Sequence, residues 1–289
     1  MSLIDGKAIA AESRARTAER VAEFVEKYGR TPKLTVIKVG NDHASAVYVR
    51  NKKTACEAAG MLSDVIEMPE ETEEKYLLEK IAELNGDASV DGILVQLPLP
   101  RHISERAVIK AISPEKDVDC FHPQNAGLIF NLEEATFLPC TPAGVMEMLH
   151  HENVQISGKN AVVVGRSNIV GKPMALLLLA ENATVTVCHS RTENLGEHTK
   201  NADILVSAVG KAKFITADMV KDGAVVIDVG MNRDENGKLC GDVDFAEVEK
   251  KASLITPVPG GVGPMTITML LANTIASAFA SEERKSKNN

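Results

Sequence analysis

The sequence contains no tryptophan, and its three tyrosines and seven phenylalanines amount to only 3% of 289 residues. Its cores must therefore be aliphatic, as suits α/β layers rich in Val, Ile, Leu and Ala. Cysteine is sparse. Cys56, Cys120, Cys140, Cys188 and Cys240 are scattered, odd in number and without CxxC spacing. That pattern argues against a disulfide framework or a zinc site and fits a reducing cytoplasm. There is no surplus of cations: the net charge is −8, which argues against a nucleic-acid binder but not against anionic small molecules held by local cations. No run reaches ~18 uninterrupted apolar residues, so no membrane span is expected. Met1–Lys7 carries no apolar core, so no signal peptide is expected. His43, His102, His122, His150, His151, His189 and His198 show no metal-ligand spacing, and no Gly-x-Ser-x-Gly elbow occurs. Neither a metalloenzyme nor a serine hydrolase is expected.

What the chain does contain is a regular alternation of helix-like and strand-like segments. Residues 8–28, 43–60 and 72–84 have helical character, and Lys33–Val39, Leu62–Met68 and Gly92–Gln96 read as strands. A second series starts near Thr141, expected as the N-cap of a helix with Pro142 at its first position. Strands at 161–165, 184–188, 203–206 and 224–229 follow, and a last helix starts near Pro264. Such alternation predicts parallel sheets with crossover helices. At ~100–200 residues per domain the length suits two of them. Leu138-Pro139-Cys140-Thr141-Pro142 marks the boundary. Residues 1–140, completed by a C-terminal helix over 265–282, are expected to form one α/β domain and residues 141–264 the other. The polar residues 283–289 are expected to form a flexible tail.

The most informative stretch is Ala161-Val162-Val163-Val164 followed by Gly165-Arg166-Ser167-Asn168-Ile169-Val170-Gly171-Lys172-Pro173 and a helix-like run from Met174. Strand, glycine-bounded loop and helix start present backbone N–H groups to a phosphate. The glycines are six apart, so this is not the GxGxxG pattern, and a plain tight turn would also need them. The next strand, Thr184–Cys188, ends in His189-Ser190-Arg191. An acidic residue there would favour the free ribose hydroxyl of NAD; a hydroxyl and a cation favour the extra phosphate of NADP.

Tyr48 and Lys52 stand four apart on a helix and share a face. A lysine becomes an acid/base catalyst when burial or neighbouring charge lowers its pKa. On spacing alone the solvated reading prevails, with Lys52 an exposed residue of the basic run Arg50, Lys52, Lys53. Gln96, in Val95-Gln96-Leu97-Pro98-Leu99-Pro100, follows an apolar strand at the sheet edge where α/β ligands bind. Asp117 and Asp119 could form a polar turn, and no further ligand lies at metal spacing. Pro257–Pro264 is a glycine-rich loop, either a backbone-lined ligand wall or a stiff linker.

Taken together and in order, these stretches and Asp228-Val229-Gly230-Met231-Asn232 resemble the bifunctional methylenetetrahydrofolate dehydrogenase/cyclohydrolase family from Asp5 to the last helix. The resemblance implies two α/β domains, the C-terminal one Rossmann-like and NADP-binding, with a ligand cleft between them. It implies oxidation of 5,10-methylenetetrahydrofolate with NADP, then hydrolysis of the methenyl cation to 10-formyltetrahydrofolate. It further implies a homodimer in the cytoplasm. In this reading Lys52 assists proton transfer, Gln96 orients Lys52, Tyr48 stacks on the folate rings and Asp119 binds the pterin. Val95, Leu97, Pro259, Gly260, Gly261, Val262 and Gly263 line the substrate. Gly165, Arg166 and Ser167 hold the cofactor, Ser190 and Arg191 stand near its adenosine phosphate, and Met231 at its nicotinamide end. One departure is Cys120, where the family usually has glycine after the second aspartate. An alternative is a dehydrogenase-only or NAD-preferring member. An alternative of another class is a catalytically silent folate- or nucleotide-binding protein.

Overall fold

In the computed structural model, which describes residues 2–131 and 135–288, helices and strands alternate throughout. β1 (Ser2–Leu3) and α1 (Gly6–Tyr28) precede β2 (Lys33–Val39), α2 (His43–Ala58), β3 (Leu62–Met68), α3 (Glu74–Gly86) and β4 (Gly92–Val95). α4 (Glu105–Ala111), α5 (Pro123–Phe130) and α6 (Cys140–His151) lead to β5 (Asn160–Val164), α7 (Gly171–Ala180), β6 (Thr184–Cys188), α8 (Leu195–Thr199) and β7 (Ile204–Ser207). β8 (Val225–Asp228), the hairpin of β9 (Asn232–Arg233) and β10 (Leu239–Cys240), α9 (Phe245–Val248), β11 (Leu254–Ile255) and α10 (Val262–Asn288) complete the chain. Two compact units result, residues 12–140 with 267–288 and residues 2–11 with 141–266.

The first unit is built on a parallel sheet in the order β3-β2-β4. β2 and β4 are almost wholly buried, as parallel strands covered on both faces must be. On one face Leu34, Val36 and Leu94 pack with Phe24, Val49 and, from α10, Leu270, Leu271 and Ile275. On the other, Ile37, Ile93 and Val95 meet Leu77, Ile81 and Leu84, an i, i+4, i+7 stripe along α3. Each such side chain contributes about 1.5–3 kcal/mol by leaving water, so an aliphatic core suffices. Three of the ten aromatics cluster here: Phe24 lies 5.0 Å from Tyr28 and meets Phe279 edge-to-face at 5.1 Å. α10 is the one helix among the described residues long and apolar enough to cross a membrane, yet its apolar side forms this core. Arg30 fixes its far end through a bidentate ion pair to Asp91 at 2.7 and 2.8 Å and a bond to Glu282 at 2.7 Å.

The second unit is a six-stranded parallel sheet in the order β1-β11-β8-β7-β5-β6. The chain leaves β5 for β6 on one side and continues to β7 on the other, so the strand order reverses at β5, where doubly wound sheets bind nucleotides. Its core is again aliphatic, with Val162, Val164, Leu205, Val226 and Ile255 buried.

Three local features differ from the sequence reading. Residues 2–11 belong to the second unit, because Ser2 and Leu3 pair with Leu254 and Ile255 and the Ile4 N–H donates to Ile255 O at 3.0 Å. Thr141 lies inside α6 and does not cap it. Of residues 283–289, expected as a tail, 283–288 continue α10, and Asn289 lies outside the described residues. Lys285 pairs with Glu282 one turn earlier, a helical i, i+3 pair, and Arg284 pairs with Glu115 in the turn after α4.

Candidate functional site

In the first unit, α2 begins at Asp42, whose carboxylate accepts the Ser45 N–H at 2.7 Å. That cap starts the helix so that Tyr48 and Lys52 fall on its inward side. Lys52 is only 8% exposed, which removes the solvated-lysine reading. Its Nζ donates to Gln96 Oε1 at 3.0 Å. Gln96 is held in turn: its backbone N–H donates to Ile37 O at 2.8 Å and its Nε2 to Leu97 O at 2.7 Å. The amide orientation is therefore dictated, with nitrogen toward Leu97 and oxygen toward the lysine. Tyr48 is half-buried, and burial raises its phenol pKa.

Asp117 and Asp119 have divided roles. Asp117, 2% exposed, accepts the N–H groups of Phe121 and His122 at 3.2 and 2.8 Å and Asn125 Nδ2 at 2.9 Å. It builds the turn and is pushed up to about 6 by burial, with those donors opposing. Asp119 has no such cage. Burial raises its pKa, and the positive charge of Lys52 and the Cys140 thiol oppose the rise. Asp119 and Lys52 thus act on each other electrostatically. Val95, Leu97 and Asp119 border one narrow cavity with Ile93, Leu94 and Phe121. Cys120 stands at φ 61°, the left-handed region that suits glycine. Its Sγ donates to Phe137 O at 3.4 Å.

Three residues that the sequence reading did not single out hold this turn. Asn273 Nδ2 donates to Val118 O and Leu138 O, both at 2.8 Å. Cys140 Sγ also donates to Val118 O, at 3.4 Å. Ser277 Oγ donates to Asp91 O and Glu115 O at 2.6 and 2.8 Å. The only sequence signal was a polar residue on an apolar helix.

In the second unit, the spacing of the glycine loop has a steric cause. Gly165 is at φ 133°, and a Cβ there would lie 2.4 Å from Ala208 O. A Cβ on Gly171 would lie 2.2 Å from Gly165 O. The loop folds onto itself at its first and seventh residues, so both must be glycine. Ser167 Oγ accepts the N–H groups of Val170 and Gly171 at 3.1 and 3.3 Å, starting α7. Arg166, Ser190 and Arg191 are exposed. The Gly165 N–H donates to Cys188 O at 2.8 Å and joins this loop to the end of β6, from which Ser190 and Arg191 project. A backbone cradle, a helix start and two exposed arginines fit a dinucleotide that carries an extra phosphate.

Met231 is exposed, with its methyl 3.5 Å from where a Cβ on Gly263 would sit. The loop Pro259-Gly260-Gly261-Val262-Gly263 is braced from beneath: a Cβ on Gly6 would lie 2.0 Å from Gly261 O, and Lys7 lies against Gly260. The structure thus gathers Tyr48, Lys52, Val95, Gln96, Leu97 and Asp119 in one unit. It places Gly165–Ser167, Ser190, Arg191, Met231 and Pro259–Gly263 in the other. No group of three or more metal-ligating side chains occurs among the described residues.

Known proteins match this chain nearly end to end. The family model described as tetrahydrofolate dehydrogenase/cyclohydrolase, catalytic domain, matches residues 4–119, and that of the NAD(P)-binding domain matches residues 139–282. Bifunctional protein FolD of Streptococcus pneumoniae is 59% identical over 283 residues, 98% of this chain and 99% of that one. The solved structure of bifunctional enzyme FolD, a methylenetetrahydrofolate dehydrogenase/cyclohydrolase, from Campylobacter jejuni has a TM-score of 0.95 at 50% identity, covering 97% of this chain and 99% of that one. That of N5,N10-methylenetetrahydrofolate dehydrogenase-cyclohydrolase from Trypanosoma brucei, complexed with NADP and an inhibitor, has a TM-score of 0.93 at 40% identity, covering 97% and 98%.

Proposed function

This chain belongs to the tetrahydrofolate dehydrogenase/cyclohydrolase family, and we propose how its own residues divide the two reactions. It is an NADP-dependent methylenetetrahydrofolate dehydrogenase and methenyltetrahydrofolate cyclohydrolase of one-carbon metabolism. NADP held by the second unit would supply the hydride acceptor, and loss of hydride from the methylene bridge gives the methenyl cation. Water then adds to that cation, and the ring opens to 10-formyltetrahydrofolate.

Lys52 moves the proton that hydrolysis requires, to or from the water and the departing ring nitrogen, within hydrogen-bond reach. Gln96 keeps Lys52 aimed, and the 3.0 Å bond to a lysine only 8% exposed carries this reading. Tyr48 offers its ring to the flat folate. Asp119, a carboxylate without a cage of backbone donors, accepts from pterin N–H groups, while Val95 and Leu97 border the cavity that it lines. Gly165, Arg166 and Ser167 receive the pyrophosphate, Ser190 and Arg191 the adenosine phosphate, and Met231 the nicotinamide end.

The functional unit is a homodimer. β6 lies at the edge of its sheet with Thr184, Thr186 and Val187 exposed, an open strand that a second copy can cover. Residence in the cytoplasm is supported by five free thiols, four of them buried, since such thiols persist in a reducing compartment.

The test is a steady-state assay of both steps with NADP and NAD in parallel, with sedimentation for the dimer. Lys52→Ala should lose most hydrolysis and remain folded. Full hydrolysis in that variant would remove Lys52 from the mechanism. Equal use of NAD would remove Ser190 and Arg191 from cofactor choice.

A further inference from the structure

Two aspartates lie buried in the second unit, and neither forms an ion pair among the described residues. Asp242 is 0% exposed and Asp228 3%. Five groups donate to the Asp242 carboxylate. Oδ2 accepts Val209 N–H at 2.6 Å, Gly210 N–H at 3.2 Å and Ser207 Oγ at 3.3 Å. Oδ1 accepts Lys211 N–H and Asn232 Nδ2, both at 2.9 Å. Asp228 accepts the N–H groups of Gly230, Asp242 and Val243, each at 2.9 Å. The chain makes room for both: a Cβ on Gly230 would lie 2.2 Å from Asp242 Oδ1, and one on Gly241 would lie 1.8 Å from Asp228 Oδ2.

The donors to Asp242 come from two places. Ser207–Lys211 ends β7 and forms the loop after it, and Asn232 lies in the segment after β8. Both segments leave the sheet at the C-terminal ends of its strands, the edge where nucleotides bind. The first touches the cofactor loop directly, since Ala208 O is the atom that forbids a side chain on Gly165. The second carries Met231. One carboxylate therefore sets the separation of the two walls that follow β7 and β8.

We infer that Asp242 is a positioning residue for the dehydrogenase half of the reaction, holding the loops after β7 and β8 at the spacing that the dinucleotide requires. This rests on the assignment of NADP to the second unit. The hydrolytic residues Lys52, Gln96 and Asp119 belong to the other unit, so hydrolysis measured without cofactor is an internal control.

Asp242→Asn keeps the volume but turns one oxygen into a donor, which then faces either Val209 and Gly210 or Lys211 and Asn232, all donors themselves. The dissociation constant for NADP should rise about tenfold and the dehydrogenase kcat/KM fall in step, the scale of one buried donor left unpaired. Cofactor-free hydrolysis of methenyltetrahydrofolate should stay within about twofold. If hydrolysis and NADP binding fall together, Asp242 merely supports the fold and the inference is overturned; so it is if NADP binding does not move. Should that variant fail to fold, Asn232→Ala removes one of the five donors and should give the same split at about threefold. Parent enzyme that binds no NADP would refute the cofactor assignment itself, a separate result.

Discussion

Replacing Gln96 by Leu tests the catalytic assignment at its narrowest point. The new side chain has similar volume but no oxygen, so Lys52 loses the acceptor it holds at 3.0 Å while remaining 8% exposed. A hydrogen bond to a charged group is worth about 1.5–3 kcal/mol. If the whole loss falls on the transition state, hydrolysis slows by about 10- to 150-fold. The backbone bond from Gln96 N–H to Ile37 O is unaffected, so β4 keeps its register and the fold survives. The assay is the decay of methenyltetrahydrofolate without cofactor, beside the NADP-dependent oxidation of methylenetetrahydrofolate and a thermal melt. Hydrolysis should fall with the melting temperature little changed. Hydrolysis within about twofold of the parent would mean that Lys52 needs no orienting partner, and the reading of Gln96 would be wrong.

Two further outcomes follow from the turns around Asp119 and its neighbours. Burial raises Asp117 to about 6, above its unfolded value, so the folded state binds its proton more tightly. Its stabilising contribution is complete below about pH 4 and is lost as pH rises through about 6. Asp117→Asn removes that titration, so the variant should gain roughly 2–3 kcal/mol relative to the parent between pH 4 and pH 7 in denaturant melts; a constant difference would contradict the buried-acid account. At Cys120, glycine relieves a left-handed cost of about 1–2 kcal/mol but gives up side-chain burial and adds chain entropy of about 0.5–1 kcal/mol. Cys120→Gly should therefore melt within about 4 °C of the parent, while the β-branched Cys120→Val should melt well below both; the reverse order would show that φ 61° carries no strain at this position.

What could be read in advance was local. Tyr48 and Lys52 share a helix face by spacing alone, and the Gly165 loop announces itself between a valine strand and a leucine helix. The alternation of segments sufficed for two parallel sheets. The hidden parts are contacts between residues far apart in sequence. Arg30 meets Glu282 across 252 positions, and Asn273 meets Val118 across 155. Nothing in the neighbourhood of Asn273 distinguishes it from a helix-surface amide. Asp242 was missed for a related reason: its donors are mostly backbone N–H groups, and a backbone partner leaves no residue type to recognise. Asp117 and Asp119 look alike as letters, and only the cage of N–H groups around the first separates scaffold from binding group.

The pairing of β1 with β11 orders events during synthesis. Ser2 and Leu3, made about 250 residues earlier, wait for Leu254 and Ile255. The sheet built around β2 emerges from the ribosome long before α10 arrives to cover Leu34, Val36 and Leu94. Both units are therefore discontinuous in the chain, and neither can close until its later segment has been made. The nascent protein must carry an uncovered aliphatic sheet face through most of its translation, when it is most open to aggregation and to chaperone binding.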